Sequence, residues 1–187
     1  MKIAIFASGS GTNAEAIINY FNKTKTAQVS LILSNVPNAF VLERAKKFGI
    51  KSVVFSRSEL NSNAIVALLR ENSIDFIVLA GFLWLMPANL VAAFTNRIIN
   101  IHPALLPKFG GKGMYGMNVH KAVIDAGETQ SGITIHFVNT NYDEGSIIFQ
   151  AACNISANET PESLAEKIHA LEHKHFAKVI ERMLLAK

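Results

Sequence analysis

Short apolar runs alternate with amphipathic stretches through the first half of the chain. Lys2-Ile-Ala-Ile-Phe-Ala7 is wholly apolar after its first residue, as a strand buried on both faces should be. Val29 to Ser34, Lys51 to Phe55, Asp75 to Ala80 and Ile98 to His102 read as four further strands. Between them, the spacing predicts helices over 14–21, over 39–48 with Gly49 as its stop, over 61–72 with Ile65, Leu68 and Leu69 at core spacing, and from Pro87 through Phe94. This alternation predicts an α/β fold built on a doubly wound, mostly parallel, Rossmann-like sheet.

The pattern changes after Pro103. A helix over 118–126 is followed by Ser131–Val138, which alternates as a half-buried strand does, with Thr134 and His136 on its polar face. A strand over 147–153 follows a loop too short for a parallel crossover, so the two strands form an antiparallel C-terminal pair if adjacent. Glu159-Thr-Pro161-Glu162 opens a long C-terminal helix. Its apolar stripe, Leu164, Ile168, Leu171, Val179, Ile180 and Met183, is broken by His173-Lys174-His175. With no repeat, linker or low-complexity tract, residues 1–187 are expected to form one domain.

Composition narrows the function classes. Half the residues are hydrophobic and 17% are charged, which fits a well-buried globular chain. A net charge of +4 suits an anionic small substrate, but no Lys/Arg cluster is dense enough for nucleic acid. Cys153 is the only cysteine, which excludes an intrachain disulfide and a cysteine-based metal site, and it is expected to be a buried apolar residue. His173 and His175 lack i,i+4 spacing, so no metal is expected. The first apolar run is too short for a signal peptide and none reaches membrane-spanning length, so a cytoplasmic protein without a membrane partner is expected.

Candidate chemistry gathers at Asn100-Ile-His102-Pro103-Ala-Leu-Leu-Pro107. Strand alternation aims Asn100 and His102 the same way at the end of a strand, and the prolines stop the strand beyond them. An amide donor beside a group titrating near neutrality suits acyl transfer. Ser8-Gly9-Ser10-Gly11-Thr12-Asn13 joins the first strand to a helix. Its small residues allow a tight turn, Thr12 or Asn13 can cap the helix, and free N–H groups there suit an anion. It matches neither Walker A nor the full dinucleotide fingerprint. Gly81-Phe-Leu-Trp-Leu-Met86-Pro87 is unusually apolar for a loop and suits a slot for a flat ring. Residues 108–117 carry four of the 11 glycines and read as a loop over the site.

These motifs, with Leu79-Ala-Gly-Phe82, Gly132-Ile-Thr-Ile-His136 and Tyr142-Asp143-Glu-Gly145, resemble those of the folate-dependent formyltransferases, and nearly end to end those acting on glycinamide ribonucleotide. The resemblance implies that Asn100, His102 and Asp143 are catalytic. It implies that Gly11, Thr12 and Asn13 hold the substrate phosphate and that Glu172 contacts the substrate. It implies that Leu83, Trp84, Leu85 and Met86, with Asn139, Thr140, Asn141 and Tyr142, hold the folate. The implied co-substrate is 10-formyltetrahydrofolate, the acceptor is 5-phosphoribosylglycinamide, and no metal is needed. A homodimer is left open. Asp143 is expected to hold His102 in its charged form. Family members often carry an arginine after the third strand that reaches the folate tail. The match here is Asn63, so no tail contact is assigned to it. Two rivals remain: another formyl-tetrahydrofolate enzyme, either a hydrolase or one acting on methionyl-tRNA, and a nucleotide-binding module without catalysis. The first usually carries a further domain before or after the one seen here, and the second gives Asn100, His102 and Asp143 no task.

Overall fold

The computed structural model describes residues 1–186; Lys187, the last residue of the expected domain, lies outside the described residues. Chain order is β1 (Lys2–Phe6), α1 (Thr12–Thr24), β2 (Gln28–Ser34), α2 (Phe40–Lys47), β3 (Lys51–Val54), α3 (Arg57–Asn61), α4 (Ala64–Glu71) and β4 (Phe76–Leu79). It continues with α5 (Ala88–Ala93), β5 (Ile98–His102), α6 (Met117–Asp125), β6 (Gln130–Phe137), β7 (Ile147–Asn154) and α7 (Pro161–Leu185). The strands form one sheet in the order β3-β2-β1-β4-β5-β6-β7. β1 to β5 pair in parallel, and β6 runs antiparallel to β5 and β7.

Alternation along β1 builds two cores. Ile3 and Ile5 pack with Ile17 and Phe21 of α1, Val41 of α2, Val119 of α6 and Ile168 and Ile180 of α7. Ala4 and Phe6 face the other way, against Leu60 of α3, Ile65 and Leu69 of α4 and Leu90 of α5. A strand covered on both faces has no polar positions to offer, which is why its sequence is an unbroken apolar run. The chain crosses from β3 back past β1 to β4, so the sheet order reverses there. Connections leaving the carboxyl ends of β1 and β4 diverge and open a crevice.

Several expectations need correcting. The helix expected over 61–72 is α4, which starts only at Ala64, and a separate short helix, α3, precedes it from a Ser56–Glu59 capping box and ends before Ser62 and Asn63. β6 is not half-buried: residues 131–136 are all buried, because β5 and β7 flank the strand and both its faces are covered. Thr134 and His136 are satisfied internally, whereas Ser131 Oγ is buried with no hydrogen-bond partner among the described residues. Thr134 Oγ1 donates to the Ala104 carbonyl at 2.7 Å and accepts from Leu106 N at 3.0 Å, which pins the prolyl turn after His102. The buried face of α7 runs through Leu164, Ile168, Glu172, Phe176, Ile180 and Leu184 at intervals of four residues, so its apolar stripe is interrupted by Glu172 and not by His173-Lys174-His175. Cys153 is only half-buried, on β7 at the sheet edge.

Candidate functional site

β5 is held on both edges, parallel to β4 and antiparallel to β6, so the direction of its side chains is fixed. Register sets His136 opposite Asn100 and Thr134 opposite His102. Nδ1 of His136 lies 2.8 Å from the Phe137 carbonyl, which can only accept, so Nδ1 carries a proton. Nε2 lies 3.1 Å from Asn100 Nδ2. Asp143 comes from the β6–β7 loop and meets this group. Its Oδ1 lies 3.4 Å from Asn100 Nδ2 and 3.6 Å from His136 Nε2, and its Oδ2 lies 3.5 Å from His102 Nδ1. The second carboxylate oxygen also accepts from Gly111 N at 2.9 Å. Asp143 is held at φ 58°, in the left-handed region, while a Cβ on Gly145 would lie 1.6 Å from the Phe137 carbonyl oxygen. Gly145 is therefore what lets this loop close against β6.

The protonation states differ from expectation. Burial pushes the His102 pKa down; Asp143 and the Phe109 carbonyl pull it up, but the net direction is below the ordinary histidine value. That direction runs against the expectation that Asp143 keeps His102 charged, because the ring is only 3% exposed. Its Nε2 lies 2.8 Å from the Phe109 carbonyl and so carries the proton, leaving Nδ1 bare toward Asp143. Burial raises the Asp143 pKa, but His136, His102 and the Gly111 N–H together outweigh it and keep the group ionised.

The Gly-rich turn lies across a shared cleft of about 630 Å³ from this cluster. Neither Thr12 nor Asn13 caps α1: the N-cap is Gly11 at φ 73°, with no side-chain bond to the first turn. Its first-turn N–H groups have no side-chain cap and suit an anion, and the one acidic residue of that turn, Glu15, is paired with Arg44 and Lys47. Arg44 also donates to the Ser10 carbonyl at 2.7 Å. A Cβ on Gly11 would come within 2.5 Å of Val41, whereas one on Gly9 meets nothing within 4 Å. Gly11→Ala is therefore expected to destabilise the fold by about 1–3 kcal/mol, read by denaturant titration. Gly9→Asp should keep stability while weakening inorganic phosphate binding about tenfold or more, read by calorimetry. Unchanged phosphate affinity in Gly9→Asp would move the anion site elsewhere.

The far end of the cleft is polar. Asn13 Nδ2 donates to Glu172 Oε2 at 2.8 Å. Glu172 is 6% exposed, and burial raises its pKa, with Asn13 and His169 opposing. Sequence reasoning missed His120 and His169, and took His136 only as a satisfied core or rim histidine. His120 falls on the apolar face of α6 beside Val119 and Val123, and His136 alternates with apolar residues on a covered strand; both patterns signal burial. Burial, with His169 and His102 nearby, drives the His120 pKa from 6.5 to about 4. Unfolded chains take up that proton as pH falls through 6.5, whereas the native state refuses it until about 4. The stability contributed by neutral His120 is thus present above pH 6.5 and lost progressively toward pH 4. His120→Leu should flatten that part of the acid unfolding curve, measured as melting temperature against pH; parallel curves would refute the assignment.

The apolar loop divides its residues. Leu83 is exposed at the rim of the large cleft, while Trp84, Leu85 and Met86 line a narrow second slot with Leu79, Val138 and Asn141. Asn139 and Thr140 line neither, and Asn139 instead accepts from Asn141 N at 2.9 Å. Asn63 sits at the α3–α4 break and accepts from Asn89 at 3.2 Å, whereas the Arg57 guanidinium stacks 4.3 Å from the Trp84 ring centre. Among the described residues, no group of three or more His, Cys, Asp or Glu side chains is placed to hold a metal ion. No helix among them is long and apolar enough to cross a membrane.

The formyl transferase family pattern matches residues 1–180. A chloroplastic phosphoribosylglycinamide formyltransferase of Arabidopsis thaliana is 44% identical over 96% of this chain, which spans 64% of that protein's length. The phosphoribosylglycinamide formyltransferase of Bacillus subtilis is 38% identical over 98% of this chain and 94% of its own. Among solved structures, that of phosphoribosylglycinamide formyltransferase from Bacillus halodurans superposes with a TM-score of 0.89 at 38% identity, covering 100% of this chain and 96% of that one. Matched along nearly its whole length in sequence and fold, the chain belongs to the formyl transferase family.

Proposed function

We propose that this chain, working as one domain, moves the formyl group of 10-formyltetrahydrofolate onto the glycinamide amine of 5-phosphoribosylglycinamide. The products are the N-formyl ribonucleotide and tetrahydrofolate, in de novo purine (IMP) synthesis. One observation carries the reading: Asn100, Tyr142 and Asp143 line both the large cleft and the narrow slot. A group at that junction can be reached by one substrate from each side.

The acceptor's phosphate rests on the N–H groups of Gly11, Thr12 and Asn13, and Glu172 holds its sugar. Trp84, Leu85 and Met86 take an edge of the folate ring against Asn141 and Tyr142. The slot is about 50 Å³, smaller than a two-ring heterocycle, so the 82–86 and 139–142 segments part as the ring enters. Asn139 and Thr140 act on the folate through the shape of that second segment, and Leu83 guards the rim.

The amine then attacks the formyl carbon and forms a C–N bond. Asn100 Nδ2 donates to the developing oxyanion, and the Nε2–H of His102 joins it once the Phe109 carbonyl gives way. The attacking nitrogen loses a proton as the folate C–N bond breaks, and the folate nitrogen gains one. Asp143, ionised and touching both Asn100 and His102, is placed to relay that proton through water. Only small molecules enter this reading; neither nucleic acid nor a membrane has a part. The cytoplasm is the proposed location, although the Arabidopsis relative is named chloroplastic. An absorbance assay for tetrahydrofolate with and without glycinamide ribonucleotide tests it. Acceptor-dependent release supports transfer. Acceptor-independent release would point to a hydrolase, and binding without release would reduce the chain to a nucleotide-binding module.

A further inference from the structure

His120 has no task in the reaction just described, and its surroundings give it one. It sits in the first turns of α6, 2% exposed, and it lines the large cleft with Asn13, His102, His169 and Glu172. Its Nδ1 is buried without a hydrogen-bond partner among the described residues. A buried polar atom left unpaired is costly, and in a cleft a ligand group can complete it. Asn13 shows the same thing next to it. Its Nδ2 is committed to Glu172, and its Oδ1 is buried and also unpartnered. Two orphaned polar atoms on α1 and α6 thus border one cleft beside a buried carboxylate on α7. This end of the cleft is rich in acceptors and lies next to the free N–H groups of α1.

Hydroxyl groups suit such a set, because each supplies a donor to an orphaned acceptor and can take a donor in return. We propose that His120, as a neutral imidazole, binds a sugar hydroxyl of the phosphorylated acceptor, with Asn13 Oδ1 taking a neighbouring one. The proposal rests on the acceptor reading above. It makes His120 a binding and positioning residue for the sugar, separate from the group that acts on the formyl carbon.

Calorimetry with ribose 5-phosphate and with inorganic phosphate as probes tests this on the unmodified protein, His120→Leu and His120→Gln. His120→Leu should weaken ribose 5-phosphate about tenfold, the usual worth of one neutral hydrogen bond, and leave phosphate unchanged. His120→Gln should recover most of the loss. In the transfer assay, the KM for glycinamide ribonucleotide should rise by a similar factor while that for the formyl folate stays fixed. A second measurement needs no variant: the ring nitrogen resonances of His120 should shift with ribose 5-phosphate and stay put with phosphate. Unchanged ribose 5-phosphate affinity, equal weakening for both probes, or unmoved resonances would each overturn the proposal. Sugar-dependent binding without formyl transfer would sink the acceptor reading and leave His120 in place; transfer indifferent to His120 would do the reverse.

Discussion

Asp143→Asn is expected to lower turnover by about 10²–10⁴-fold while leaving ribonucleotide affinity within about twofold of its original value. The reason is where the carboxylate sits. One oxygen touches Asn100 and approaches His136; the other approaches His102 and accepts from Gly111. Asparagine keeps the shape and loses both the negative charge and one acceptor. Gly111 or Asn100 then faces an amide nitrogen, and any proton added to His102 Nδ1 has no counter-charge. The Gly-rich turn proposed to hold the phosphate lies across the cleft and is untouched, so binding of the acceptor is expected to survive.

Burial sharpens that expectation. On the proposed reading, burial works against a charged His102, and Asp143 is the group that offsets it during the reaction. His102→Ala should therefore cost about as much as Asp143→Asn, and the double variant should be little worse than either, since groups acting as one unit are not additive. Asn100→Ala removes a separate oxyanion donor and should add part of its own penalty. His136→Ala should lower turnover less, by freeing the Asn100 amide from the partner that orients it at 3.1 Å. Turnover and Michaelis constants for the five variants measure these terms. Fully additive losses for His102 and Asp143 would mean that they act independently.

What the sequence disclosed follows a physical line. Strand content was legible because β1 is covered on both faces, and Asn100 with His102 was legible because alternation at a strand end is local. Ser56 and Glu59 also carried a readable cap, whose three-residue spacing marks α3 ahead of the apolar periodicity. Glu172 was within reach too: it lies four residues from Ile168 and from Phe176 on the buried face of α7. The protonation of His102 was not legible, because its direction depends on how completely strands, helices and the 108–116 loop together exclude water. The pairing of His136 with Asn100 escaped for a related reason. Its role comes from facing Asn100 across two strands, a register that no single segment encodes.

The second large effect concerns the folate side. Leu85→Asp is expected to weaken formyl-folate binding by about 30–200-fold and to leave ribonucleotide binding intact. Leu85 lines the narrow slot with Leu79, Trp84, Met86 and Val138, and Trp84 stands edge-on to Phe55 and Phe82 at 6.1 and 6.4 Å. Phe82 in turn packs at 5.5 Å on Phe6 of the second core, so the slot is seated on a stiff aromatic floor. A carboxylate placed there must stay hydrated or face the ring unpaired, at a cost of about 2–3 kcal/mol. Leu83→Asp is the internal contrast. Leu83 is 41% exposed at the cleft rim, so its new charge remains in water and the loss should be within about threefold. Equilibrium binding of a folate analogue to both variants separates the two positions. If Leu83→Asp proved the more damaging, the ring would lie in the large cleft beside Gly81, and the division of the site into two chambers would have to be redrawn.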